Sequence, residues 1–451
     1  MKRRYIYVML LLGIALFISG CAKYLEEKPN KRISTPDQLS DLQGIINNYF
    51  AMNAQYPSLG EIGADNYYLT DAGWASSTEK QRNFYLWQKF EDTAVEWNFS
   101  YKVIFNANLV LETLSTLELS AGQQAEARIL KGQALFLRAY YHLALAQLFA
   151  PAFQLRGSNE GAGIPLRLSS DVEEPSVRSS IKENYQQIFK DVNEAVKYLP
   201  EKSVGKYLAN QTAGYALLSR LYLLTGSYSQ AAMYADSCLQ QNSVLINYNT
   251  LSTTAAAPFA QFNAEVLYDC RTAVPAILAQ TRAKMDPGLY DAYGTNDLRK
   301  ILFFKRNTDG SYAFKGNYTG LSTAVMFSGL AVDEVLLNRA ECYVRLGRLV
   351  EAAIDLNTLL AKRYKTGTFT PITFIDGENA LKTVLVERRK ELLFRNLRWS
   401  DLRRLNQDAV SAVTLNRTIN SKVYTLIPGD ARYVLPIDRT VILLSGMQQN
   451  P

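Results

Sequence analysis

The sequence predicts an all-α fold of helical hairpins carrying a loop-rich, irregular ligand-binding subdomain. Three observations lead there. Apolar residues recur at helical spacing through most of the stretch 38–240. Segments 213–239 and 334–360 match one another as two helices joined at a glycine. Residues 241–330 differ, with turn-forming residues outnumbering short apolar runs.

The chain opens with Lys2, Arg3 and Arg4, an apolar run from Tyr5 to Phe17, and then Ile18-Ser19-Gly20-Cys21. A positive start, a short apolar stretch and a small-residue cleavage site make a secretory signal over 1–20. It is too short to span a bilayer comfortably. Its end resembles the bacterial lipobox, in which the cysteine is acylated and becomes the first residue of the mature chain. Cys21 is therefore the expected lipid attachment point. An uncleaved anchor and an ordinary signal with a chance cysteine are the alternatives.

The formal net charge is +7, and the three basic residues of the signal supply three of those charges. The remainder is spread along the chain without a basic run, so a nucleic-acid partner is not expected. After Cys21 only Cys238, Cys270 and Cys342 remain, too few and too far apart for a disulfide framework, although one pair could form outside the cytoplasm. Cys238 and Cys342 sit in helical patterns as small core residues. His142 is the only histidine, and its place in a strong helix marks it for packing or hydrogen bonding. No motif calls for a cofactor or a metal.

Residues 21–37 are polar, contain two prolines and form a tether. Thr35-Pro36-Asp37 then predicts a capped helix start, with proline at the first helical position. Helices follow over 96–117, 125–149, 179–199 and 212–224. In the matching segments Tyr222 aligns with Tyr343, Gly226 with Gly347, Ala231-Ala232 with Ala352-Ala353, and Leu239 with Leu360. Glycine suits the left-handed position that ends a helix, and alanine lets two backbones approach. The pattern resembles tetratricopeptide repeats, and chance alanine-rich hairpins are the plainer reading. Between 241 and 330, EVLYDC is a short alternating stretch, MDPGLY reads as a turn, and NTDGSYAFKGNYTG is rich in glycine, asparagine and tyrosine. Residues 331–451 bring a second hairpin and a C-terminal region.

Several stretches together carry a family resemblance. YLEEKPNK and DLQGIINN near the start, W-x3-Y-x4-NANLVLE (97–112) and LRAYYHLALAQLF…GIPL (137–166) are among them. So are DPGLYDAYGTNDLRKILFF (286–304), ERRKELLFRNLRWSDLRRL (387–405), and a tail with Pro436, Ile437, Gln449, Asn450 and Pro451. In this order they resemble the SusD/RagB family of outer-membrane lipoproteins of the Bacteroidetes. The resemblance implies four tetratricopeptide-like helix pairs and an irregular ligand-binding part. It also implies a lipoprotein that sits as a lid on a TonB-dependent, SusC-like transporter and passes it oligosaccharides or, in some members, peptides, with no covalent chemistry. Glu26-Glu27 fits the acidic signal that sends such lipoproteins to the cell surface.

Sugar recognition needs flat aromatic faces for the C–H surface of a pyranose and polar groups for its hydroxyls. Asp65, Tyr67, Tyr68, Asp71, Trp74 and Arg82, with Asn66 among them, meet that need best. Their alternative is packing beneath a loop. Tyr312 and Tyr318, with Phe314 and Asn317, form the second candidate. In 387–404 the spacing of Glu391 and Arg395 suggests an i,i+4 ion pair on one continuous helix. A glycoside hydrolase would need a carboxylate pair at a defined separation, and no motif selects one. A scaffold that binds only a protein partner is the third class.

Overall fold

The computed structural model describes residues 36–321 and 323–451. The signal 1–20, Cys21, the Glu26-Glu27 pair, the cap at Thr35 and all but the end of the tether lie outside the described residues. The first helix among the described residues, α1 (Leu39–Asn47), starts later than the Pro36 position suggested. Gln38 occupies its N-cap with an extended backbone, and α1 turns Leu39, Leu42 and Ile46 inward. Four short helices lead into the scaffold: α2 (Tyr49–Met52), α3 (Leu59–Gly63), α4 (Asp71–Ala75) and α5 (Glu79–Tyr85). A two-residue strand, β1 (Tyr67–Tyr68), separates α3 from α4.

The frame is all-α. Among the described residues helices α6 (Ala94–Thr116) and α7 (Gln124–Phe149) are the longest, and α7 buries nearly every side chain from Gly132 to Phe149. A helix that is apolar all round must be enclosed on every side. Accordingly α7 packs between α6 and α8 (Ile181–Tyr198), with α1 also against it. A small ribbon, β2 (Ala162–Pro165) with β3 (Arg178–Ser180), precedes α8. Ser180 and Glu183 then cap α8 reciprocally, each satisfying an N–H that the helix leaves free.

The two matched segments are hairpins α9 (Gln211–Leu224)–α10 (Tyr228–Gln241) and α13 (Val332–Arg345)–α14 (Leu349–Leu360). Gly226 (φ +69°) and Gly347 (φ +75°) take the left-handed turn after the first helix of each pair. Ala231, Ala232, Ala352 and Ala353 are buried where the helices close on each other. Helix α10 also packs on α13, so the hairpins are neighbours in space although distant in sequence. Cys238, Cys270 and Cys342 are buried free thiols.

The loop-rich stretch folds into two-stranded antiparallel ribbons. Strand β4 (Val266–Tyr268) pairs with β10 (Leu330–Ala331), β5 (Arg271–Ala273) with β9 (Val325–Phe327), and β7 (Phe304–Arg306) with β8 (Tyr312–Phe314). Strand β6 (Lys284–Met285) reaches back to β1. The expected MDPGLY turn is instead a one-turn helix, α11 (Pro287–Asp291). Asp286 caps it by accepting from the Leu289 N–H at 2.8 Å, and Pro287 sets the first helical φ. Another short helix, α12 (Arg299–Leu302), precedes β7.

The expected single helix over 387–404 is two helices, α15 (Gly377–Glu391) and α16 (Arg398–Leu405). Phe394 (φ +54°) and Asn396 (φ +57°) turn the chain between them. The expected Glu391–Arg395 pair is therefore not made. Glu391 joins Arg299 and Arg363, while Arg395 joins Asp333 at 2.9 Å. Strands β11 (Leu415–Ile419) and β12 (Lys422–Leu426) form a hairpin, and α17 (Arg439–Ser445) precedes the tail. The Asn450 amide donates to the Phe149 and Leu435 carbonyls and locks that tail onto the end of α7.

Candidate functional site

Pairing of β1 with β6 decides which aromatic residues face a ligand. Tyr67 lies opposite Met285, and Tyr68 opposite Lys284. Paired residues share a face and successive residues alternate, so Tyr67 and Met285 point inward while Tyr68 and Lys284 point outward. Tyr67 is buried, donates to the Ile62 carbonyl at 2.9 Å and lies near the rings of Tyr85 and Phe394. Tyr68 is 36% exposed.

Lys284 extends that outer face to the β7–β8 turn by an ion pair with Asp309 at 3.1 Å. Beyond the turn the Tyr312 ring stacks on Tyr290, with centroids 3.6 Å apart and planes 15° from parallel. The Lys300 ammonium lies 4.6 Å from the Tyr290 centroid. The two candidate segments, distant in sequence, thus meet on one surface through Lys284.

Beside Tyr68 lies a cleft of about 400 Å³ lined by Asp65, Tyr85, Trp87, Asp286, Arg389 and the first strand of the C-terminal hairpin, among others. Its floor is Arg417, whose guanidinium donates to the carbonyls of Tyr85, Ile62 and Ala64 and lies 3.9 Å from the Tyr85 ring centroid. At the rim Asp65 receives both arms of Arg398 at 2.7 and 2.8 Å, and Arg389 approaches at 3.3 Å. Burial opposes the charge on Asp65, but the two guanidinium groups outweigh it and hold the carboxyl well below its usual range. Arg389 also pairs loosely with Asp286 at 3.8 Å and keeps partial exposure. These polar groups are fixed donors and acceptors in preformed positions.

The remaining expected residues divide. Asn66 is buried, donating to Glu61 at 3.0 Å and accepting from Arg389. Asp71 accepts from the Asn420 N–H at 2.8 Å and ties α4 to the C-terminal hairpin. Trp74 is half-buried, with the Arg82 guanidinium 5.5 Å from its ring centroid. Arg82 donates to the Ala75 and Ser77 carbonyls, so it supports α4 and Trp74.

Tyr318 belongs to the core and presents no face outward. It is fully buried, donates to Glu265 at 2.7 Å, meets the Tyr248 hydroxyl at 2.9 Å and carries the Arg395 guanidinium 3.9 Å from its ring centroid. Around it Glu265, Asp333 and Glu391 bring three carboxylates together. Arg363, Arg395 and Arg299 supply the compensating charge at 2.7–3.0 Å, so the cluster is an ion-pair network.

Local pattern offers no cue to Lys284, Asp309 or Arg389 as site residues. The Asp286-Pro287 cap was a readable local signal. The others depend on which strands pair.

Rigid helical hairpins that hold an open aromatic face and a cleft of fixed polar groups define a binding protein. A model described as "starch-binding associating with outer membrane" matches residues 23–223, and the SusD family model matches residues 332–451. The chain belongs to the SusD/RagB family. It is 21% identical to SusD-like protein P2 of Formosa agariphila, across 88% of this chain and 90% of that one. Its fold matches a SusD superfamily protein of Bacteroides thetaiotaomicron with a TM-score of 0.75 at 21% identity, covering 92% of this chain and 100% of that one. A SusD-like carbohydrate binding protein of Bacteroides vulgatus matches with a TM-score of 0.71 at 20% identity, covering 91% and 97%. No helix among the described residues is long and apolar enough to cross a membrane.

Proposed function

We propose that this protein is anchored through an acylated Cys21 to the outer membrane, faces the exterior, and captures a glycan for delivery to a TonB-dependent, SusC-like transporter. In this reading 1–20 is the removed signal, 21–37 the tether, 38–240 and 331–451 the helical frame with its C-terminal region, and 241–330 the insertion that completes the site. The outward surface of Tyr68, Lys284 and the Tyr290–Tyr312 stack carries the proposal. Aromatic faces flanked by charged hydrogen-bonding groups suit the alternating C–H and hydroxyl surfaces of a sugar. Trp74 extends the surface, and the Asp65–Arg389–Asp286 cleft receives hydroxyls. Binding is non-covalent. A tethered protein beside its channel keeps captured cargo at high effective concentration.

Calorimetry of the unacylated mature chain (residues 21–451) against a glycan panel tests this reading. Tyr68→Ala and Trp74→Ala are each expected to weaken the best glycan by about 1 kcal/mol, roughly fivefold. Unchanged affinity in both removes this face as the site. Peptide binding without any glycan binding replaces the ligand class, and release of a cleaved product overturns the binding-only role. Loss of palmitate labelling and of membrane association in Cys21→Ser tests the anchor.

A further inference from the structure

Behind the β1–β6 ribbon, on the face opposite Tyr68, lies a second cavity of about 190 Å³. Its walls include Leu278, Met285, Phe314, Met326 and Phe394, and they are predominantly apolar. The rings of Phe314 and Phe394 lie 4.9 Å apart at 35°. Three polar side chains, Gln280, Asn317 and Thr323, interrupt this lining, and Gln280 donates to the Phe314 carbonyl at 2.7 Å. Asn317 is 5% exposed, lines the cavity, and its side-chain amide has no hydrogen-bond partner among the described residues.

The amide opens onto the cavity, and a ligand oxygen that pairs with it there adds a hydrogen bond worth about 0.5–1.5 kcal/mol. Two lining residues, Ala324 (φ +73°) and Phe394 (φ +54°), hold left-handed backbone that non-glycine residues rarely adopt. Such conformations collect at binding sites. The cavity exceeds the about 150 Å³ that accommodates benzene in an engineered protein interior. Two phenyl rings and two thioethers favour an aromatic guest. The amide asks for one oxygen on it.

We propose that this cavity binds a single aromatic ring bearing a carbonyl or hydroxyl oxygen, supplied as an aromatic ester substituent of the captured glycan. The attachment to a glycan rests on the function proposed above, and the cavity's affinity for the aromatic ester does not. The ring packs against the cavity-facing sides of Phe314 and Phe394, which already touch each other, while Asn317 pairs with the ester or phenol oxygen. The sugar backbone then runs over the ribbon toward Tyr68. A protein with both sites selects decorated chains over bare ones.

The test uses methyl p-coumarate as the probe in calorimetry of the mature chain (residues 21–451). One saturable site is expected. Ala279→Phe, which adds bulk at the half-buried rim of the cavity, is expected to weaken it about tenfold. Asn317→Leu is expected to weaken methyl p-coumarate about fivefold while leaving 4-ethyltoluene unchanged, because only the former loses a hydrogen bond. Thermal melts confirm that both variants fold. Absence of saturable binding to the wild-type chain overturns the proposal, as does unchanged affinity in both variants. Tighter binding of N-acetyltyrosinamide than of the ester overturns the ester assignment. Ester binding without any glycan binding removes the glycan reading alone, and glycan binding without ester binding removes the cavity assignment alone.

Discussion

Tyr67 and Tyr68 are adjacent and chemically identical, yet one is core and the other surface, because the backbone of a strand alternates its side chains. Tyr67→Ala is expected to destabilise the fold by about 3 kcal/mol through an unfilled buried space, measured by denaturant unfolding. Tyr68→Ala is expected to cost little stability. Two buried titratable residues set separate limits on acid stability. Burial pushes the His142 imidazole down from 6.5 to about 3. Its depressed folded value means the unfolded chain takes up the proton first, so stability falls as pH drops from 6.5 toward 3. His142→Gln is expected to remove up to about 4 kcal/mol of that loss. Burial opposes ionisation of Asp401, but Arg388 and Arg404 prevail and lower it from 3.8 to about 2. Its contribution is fully present above 3.8 and is lost as pH falls through 2. Asp401→Asn is expected to flatten that lower limb by about 2 kcal/mol, read from urea midpoints across pH 2–7.

At the scale of elements, the hairpin glycines show what a short pattern reveals and what it hides. Gly226 and Gly347 occupy equivalent left-handed turns, which their alignment anticipated. Alanine at either position is strained by about 1 kcal/mol. A Cβ on Gly347 meets nothing within 4 Å, whereas one on Gly226 would lie 2.7 Å from Leu155. Gly226→Ala is therefore expected to lower the melting temperature more than Gly347→Ala, and an equal drop would contradict the packing difference. The break between α15 and α16 was hidden for the opposite reason. Asparagine takes left-handed backbone readily but phenylalanine does not, and tertiary partners hold the turn at Asn396. The Asn396 amide donates to Ser328 at 2.7 Å, and its N–H to Glu61 at 3.1 Å. Those partners are remote in sequence, so no local pattern records them.

Across the whole molecule, buried arginines join the insertion to the helical frame. Arg363 reaches Glu265 in the insertion at 2.9 and 3.0 Å and Glu391 at the end of α15 at 2.7 Å. Removing it leaves Glu265 buried without its ion-pair partner, while Glu391 keeps Arg299 alone. Arg363→Met is expected to cost about 3–5 kcal/mol, and adding Glu265→Gln is expected to recover part of that loss. A double-mutant cycle by chemical denaturation measures the coupling. Without coupling, this network does not hold the insertion to the frame.

Much of the fold was legible because helix periodicity, proline stops and the paired glycine–alanine signature are local records of local forces. The helices expected over 96–117, 125–149, 179–199 and 212–224 lie within two residues of those found. The same local chemistry singles out both aromatic segments as candidates, and the order of the family's stretches brought out the family. Tertiary structure alone decided that Tyr68 and Tyr312 share a surface while Tyr67 and Tyr318 are core. It also decided that Asp65 belongs to Arg398, and that Asn317 faces a cavity without a partner. These outcomes follow from strand pairing and charge pairing between residues hundreds of positions apart. Such contacts form only when burial compensates the entropy of closing long loops, and a sequence pattern a few residues long carries no trace of them.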